Sequence, residues 1–177
     1  MSTRTTESDN KVKPIPENYP QLSPYLCCKN AAAALEFYKN AFGAREDESM
    51  RMTTPEGKIG HSEIRISNAF IMLADESPQM NFRSPQSIGG SPVMMVLYVN
   101  DVDEVANRAV AAGAKIVQPI ADMFYGDRAG TIQDPFGHIW HIATHKEDLS
   151  PEEIKKRAAA SHHSSSSGGS TSTDRQT

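Results

Sequence analysis

The chain has 177 residues, 38% of them hydrophobic, with 18 Lys+Arg against 22 Asp+Glu, enough for one compact domain or two small modules sharing a core. A net charge of −4 gives no broad basic field for nucleic acid, and no apolar run approaches the roughly 18 residues that span a bilayer. The N-terminal stretch has no apolar segment to act as a secretory signal, and adjacent Cys27 and Cys28 are too poorly placed to bridge, so the expectation is a cytoplasmic protein with reduced thiols and no nucleic-acid or membrane partner.

Residues 1–20 are polar, with prolines at 14, 16 and 20, and read as a disordered arm. A repeat follows. Shifted by 70 residues, YLCCKNAAAALEFYKNAFGA (25–44) lies over MVLYVNDVDEVANRAVAAGA (95–114). Each is a short apolar strand, an Asn, a helix rich in alanine, then Gly-Ala. Asn30 and Asp101 are natural N-caps. Leu35, Tyr38 and Phe42 share one helical face, as do Val102, Val105, Ala106 and Val110. Gly43 and Gly113 stand where a left-handed residue stops a helix.

After the first helix, AREDESMRMTT, KIGHSEIRIS and AFIMLAD read as strands, closing a module over 21–75. Residues 76–91 read as a loop between modules. After the second helix come AKIVQPI, DRAGTIQ and HIWHIAT, closing a module over 92–147, with Asp134-Pro135-Phe136-Gly137 as a turn. Ser150-Pro151-Glu152-Glu153 starts a helix expected over 150–160. The tail 161–177 is rich in Ser, Gly and Thr and is expected to be disordered; His162 and His163 fall in it.

Two tandem β-α-β-β-β modules with DPFGHIW in the last hairpin resemble the vicinal oxygen chelate superfamily of glyoxalases, bleomycin-resistance proteins and extradiol dioxygenases. PYLCCKNAAAALEFYKNAFGA, FIMLADE and YGDRAGTIQDPFGHIWHIATHKEDLSPEE carry the resemblance over about residues 21–158, within which the PhnB-like branch is nearest. It implies an α+β fold, with two modules forming a curved mixed-sheet cup and helices on the outside. It also implies a homodimer with a small-molecule ligand. In metal-dependent members four side chains hold a divalent ion, and the matching positions here are Ser23, Met72, Met94 and His141. A hydroxyl, two thioethers and one imidazole are a poor set for a hard or borderline ion. The expectation is therefore small-molecule binding without a cofactor. The alternative is a divalent metal and a lyase, isomerase or dioxygenase of the glyoxalase type.

Residue by residue, two outcomes stay open. His141, alternating with Trp140, is either an acid/base group in the pocket or a histidine satisfied by a neighbour. His61, Glu63 and Arg65 share one strand face, which either lines the cup or is solvated; His61 and Glu63 are the weak candidates, with His141, for a displaced metal site. Tyr25 and Tyr98 either offer hydroxyls to a ligand or pair them locally. Arg128 either clamps an anion or fixes its loop with Asp127. Cys27 faces the same side as Tyr25 and has no basic partner to activate it. The ligand-facing set is Tyr25, Cys27, Met72, Met94, Tyr98, Arg128 and His141.

Overall fold

A computed structural model describes residues 12–165. The first eleven residues of the expected arm, and residues 166–177 of the expected tail, lie outside that range. In the first module β1 (Tyr25–Cys28) leads into α1 (Ala31–Phe42). The short β2 (Arg45–Glu46) and β3 (Met52–Thr53) follow, then the long β4 (Ile59–Ile66) and β5 (Ala69–Asp75). A connecting segment carries the single-turn α2 (Pro85–Ile88). The second module comprises β6 (Met94–Tyr98), α3 (Val102–Ala111), β7 (Lys115–Asp122), β8 (Asp127–Gln133) and β9 (Ile139–His145), and α4 (Pro151–Ser165) ends the described chain.

The two sheets repeat one plan. The first has the order β1-β5-β4-β2, with β3 also on β4; the second has the order β6-β9-β8-β7. In each, the opening strand lies parallel beside the closing one, and the other pairings are antiparallel. The caps are those the sequence specifies. Asn30 Oδ1 accepts from the Ala33 amide at 3.0 Å, Asp101 Oδ1 from Glu104 at 3.0 Å, and Ser150 Oγ from Glu153 at 3.2 Å. Gly43 closes α1 with φ +67°, a left-handed conformation that a Cβ disfavours.

Three details differ from the sequence reading. The strand expected over AREDESMRMTT is cut in two by a 3-10 turn at Glu48–Met50. There Asp47 accepts from both the amide and the hydroxyl of Ser49, a local bond that competes with the sheet ladder. The segment between modules is organised. Glu76 Oε2 accepts from the hydroxyls of Ser84 and Ser87 at 2.8 and 2.6 Å, which pins the start of α2. Third, α4 runs on to Ser165, beyond the stop expected at residue 160.

Each helix backs its own sheet, and the modules meet through these backed sides. Tyr38, Leu35, Ile64, Leu73, Ile132 and Ile142 are all 0–1% exposed, and each large apolar side chain so buried contributes about 1.5–3 kcal/mol. Phe42 of α1 packs on Trp140 of β9 with ring centroids 4.7 Å apart. The Tyr38 hydroxyl donates to Asp134 Oδ2 at 2.8 Å. That carboxylate is the hub of DPFGHIW. It also accepts from the amides of Phe136 and His138 at 2.9 Å and from the Trp140 indole at 3.0 Å. Burial would raise its pKa, but the His138 side chain beside it, then the Trp140 indole and the Tyr38 hydroxyl, hold it below the ordinary carboxylate value. Gly137, at φ +91°, lies where a Cβ would meet Pro85 at 2.9 Å, so glycine lets the connecting segment close against this turn.

Candidate ligand-binding faces

Because strand side chains alternate, each sheet has a face turned away from its helix. On β4, Ser62, Ile64 and Ile66 are buried toward α1, so His61, Glu63 and Arg65 share the other face. Register sets Tyr25 beside Met72 and Met72 beside Glu63. The Tyr25 hydroxyl lies 2.8 Å from His61 Nδ1, and His61 Nε2 lies 3.1 Å from Glu63 Oε1. With a proton on Nε2 for the carboxylate, Nδ1 accepts from the tyrosine. Burial chiefly raises the Tyr25 phenol.

This first face is roofed at both ends. At one end Phe82, from the connecting segment, stands edge-on to Tyr25 at 5.5 Å. Beneath it lies a cavity of about 1100 Å³ lined by Tyr25, Lys58, Ala74, Glu76, Met80 and Phe82 among others. At the other end Tyr19, in a stretch read as disordered arm, stands edge-on to Phe70 at 5.1 Å. Cys27 is buried under the roof, and burial first, then Glu76 and Asp75, pushes its thiol up to about 11. It is a weak nucleophile.

The second face is bare. Met94, Val96 and Tyr98 of β6 are 52, 58 and 59% exposed. Val96 is in register with His141, and His141 with Thr131. The Thr131 hydroxyl donates to Gln118 at 3.0 Å. With that proton committed, His141 Nδ1 at 3.3 Å is the donor to Thr131, and Nε2 at 3.4 Å accepts from Tyr125. His141 is thus a hydrogen-bonded histidine that still stands on the open face. Beside it the Tyr98 hydroxyl donates to Asp127 Oδ2 at 2.7 Å. His145 lies 2.7 Å from Asp127 Oδ1 and 3.0 Å from Asp148. The two carboxylates raise the His145 pKa, Asp127 most. Burial works against the charge on Asp127, but hydrogen bonds from His145 and Tyr98 bring its pKa below normal.

The structure thus brings together Tyr25, Cys27 and Met72 on one face, and Met94, Tyr98 and His141 on the other. It does not join the two sets in one chain, since the modules meet through their helix-bearing sides. Arg128 belongs to neither face. It pairs in register with Thr144, whose hydroxyl receives the Val102 amide on the helix side. Asp103 holds its guanidinium bidentately at 2.7 and 2.8 Å, with Asp122 at 3.2 Å. His145, Tyr125 and Thr131 escaped the sequence reading, which assigned Asp127 only a loop-fixing role beside Arg128. Continuing the alternation from His141 through Ala143 finds His145, and the motif holding Arg128 also holds Asp127.

The matched metal positions divide the same way. Ser23 and Met72 line one hollow on the first face, while Met94 and His141 stand on the second. One hydroxyl, two thioethers and one imidazole do not fit Mg²⁺, Mn²⁺, Ni²⁺ or Zn²⁺. Among the described residues of one chain, no three His, Cys, Asp or Glu side chains converge as a metal site.

Two β-α-β-β-β units, a five-stranded and a four-stranded sheet, each with a helix-backed and an open face, define a paired-module class of protein. The profile of the Glyoxalase/Bleomycin resistance protein/Dioxygenase superfamily matches residues 21–142, and the chain belongs to that superfamily. An uncharacterized protein of Mycobacterium tuberculosis (strain ATCC 25618 / H37Rv) is 41% identical over 139 residues, covering 77% of this chain and 81% of that protein. TioX from Micromonospora sp. ML1 is similar in structure, with a TM-score of 0.55 and 25% identity over 72% of this chain and 99% of that one. The "Putative 3-demethylubiquinone-9 3-methyltransferase, PhnB protein" from Bacillus cereus has a TM-score of 0.55 at 15% identity, over 71% of this chain and 99% of its own. At that identity the likeness is one of fold. No helix among the described residues is long and apolar enough to cross a membrane.

Proposed function

We propose that the protein binds a small, partly apolar molecule, without a metal ion, in a cup shared by two copies of the chain. The observation that carries this reading is the bare second face: an apolar row of Met94, Val96 and Tyr98 bordered by the polar groups of His141, Tyr125 and Asp127. Apolar walls with a few convergent polar groups are the usual make-up of such sites. The faces of one chain are turned apart, so a two-fold partner supplies the opposing wall, its first face meeting this second one and the reverse. Tyr25 and Met72 of one copy then stand opposite Met94, Tyr98 and His141 of the other. The long motif from Tyr125 to Glu153 supports placement near the PhnB-like branch.

The donor chemistry at the four matched positions argues against the glyoxalase-type, metal-dependent reading. The test uses 8-anilinonaphthalene-1-sulfonate as an apolar probe. Fluorescence titration should show saturable binding that Val96→Asp weakens roughly tenfold or more, the cost of a charge on an apolar wall. Unchanged affinity in Val96→Asp would sink the assignment. Mass spectrometry of protein desalted after exposure to Zn²⁺, Mn²⁺ and Ni²⁺ should find no stoichiometric ion; one equivalent that disappears in His141→Ala would restore the enzyme reading.

A further inference from the structure

We infer that Tyr19 is a tethered plug in the first face, holding the place of a ligand's hydroxylated aromatic ring. Its ring stands edge-on to Phe70 at 5.1 Å and its hydroxyl donates to Glu63 Oε1 at 2.8 Å. The flanking chain is lightly held: Arg65 Nη2 donates to the Asn18 carbonyl at 3.1 Å, and residues 12–18 and 20–22 are exposed. Phe70, in turn, carries the Arg65 guanidinium 5.0 Å from its ring centre.

Two observations mark this as an occupied site and not merely a surface contact. Tyr19 stands between two hollows of about 570 and 500 Å³, and both are lined by Tyr19 and Glu63. Taking its side chain away joins them over the sheet into a space of the size that holds small ligands. Glu63 is also 4% exposed, and among the described residues its side chain is hydrogen-bonded by Tyr19 and His61, both on Oε1, and by no Lys or Arg. A carboxylate buried on a sheet face needs a donor, and here its own chain provides a phenol. The same carboxylate, backed by Phe70, suits a single-ring phenol that donates its hydroxyl and stacks by its edge. A short tether keeps the plug at an effective concentration of the order of millimolar, so a free ligand gains from its release.

This inference deepens the binding reading above and rests on it, and the experiment separates the two. The probes are 4-methylphenol and toluene, which differ by one hydroxyl, followed by amide NMR shifts at Glu63 and Phe70. Tyr19→Ala in the full chain should bind 4-methylphenol roughly tenfold tighter than wild type, and toluene should gain far less, as expected for a hydrogen bond to a charged acceptor. Adding Glu63→Gln should abolish the preference for the phenol. Tyr19→Phe, which keeps the ring on Phe70, should shift affinity in the same direction by a smaller factor. Equal 4-methylphenol affinity in wild type and Tyr19→Ala, or equal gains for toluene, overturns the plug. If the dye still binds the Val96 face, only the plug falls; if dye binding is absent as well, the shared-cup reading falls with it.

Discussion

The two modules share strand order, cap positions and a helix-backed core, yet their open faces are treated in opposite ways. The first carries Tyr25, His61 and Glu63 under a roof made of Phe82 at one end and Tyr19 at the other. The second carries Met94, Val96 and Tyr98 in the open. The difference comes from neighbouring segments and not from the strands. Chain lies before β1 and between the modules, and both stretches fold back over the first sheet. After β9 the chain is held at the edge through Asp148, and α4 leaves without covering β6. Duplicated sheets thus acquire separate duties through what is attached to their ends.

That contrast depends on back-to-back packing, so the largest way to break it is to unfasten the modules. Asp134→Ala leaves the Trp140 indole with no acceptor in the core and the Tyr38 hydroxyl with only the long contact to His138 Nδ1 at 3.4 Å. It should cost about 3–5 kcal/mol in urea denaturation, while Tyr38→Phe, which removes one donor, should cost about 1–2 kcal/mol. A loss below 1 kcal/mol in Asp134→Ala would mean the hub does not fasten the modules. Next in size, a charge on the bare face should separate it from its proposed partner. Wild type should sediment as a dimer, and Val96→Lys near the 19.4 kDa of one chain. Ile88→Lys, which alters an exposed apolar residue of α2, should leave the dimer intact. The smallest effect is on the roof. Hydrogen bonds from Ser87, then Ser84, hold the Glu76 carboxyl at about 2. Its folded pKa is depressed, so the stabilisation is complete above the ordinary value near 4.5 and is lost as pH falls toward 2. Hydrogen-exchange protection at the Ser87 and Ile88 amides should decline across that window.

Much of this architecture is legible in the sequence because it is local. The 70-residue repeat, the side-chain caps at Asn30, Asp101 and Ser150, and the alternation of His61, Glu63 and Arg65 with Ser62, Ile64 and Ile66 depend on neighbours a few residues away. The roof is not legible in that way. Tyr19 lies in a polar, proline-rich stretch with no period, and only the fold brings it to Glu63, 44 residues on. The orientation of the modules rests on Tyr38 meeting Asp134 across 96 residues of chain. Arg128 shows a subtler limit. Its motif suggested a rim position, but β8 register turns it toward Asp103, and the neighbouring Asp127 takes the place on the open face.

The Asp134 hub bears on how the chain comes apart. Its four donors come from both halves: one from α1, three from the turn and strand of the second module. Melting either half releases the acceptor or a donor of the other, so the hub links two duplicated units into one cooperative transition. The corresponding turn of the first module, at Ser67-Asn68, offers no matching carboxylate, so the linkage is one-sided. A chain of this kind should denature as a single body even though its sequence reads as two, and a solitary second module would lack the Tyr38 donor that α1 supplies to Asp134.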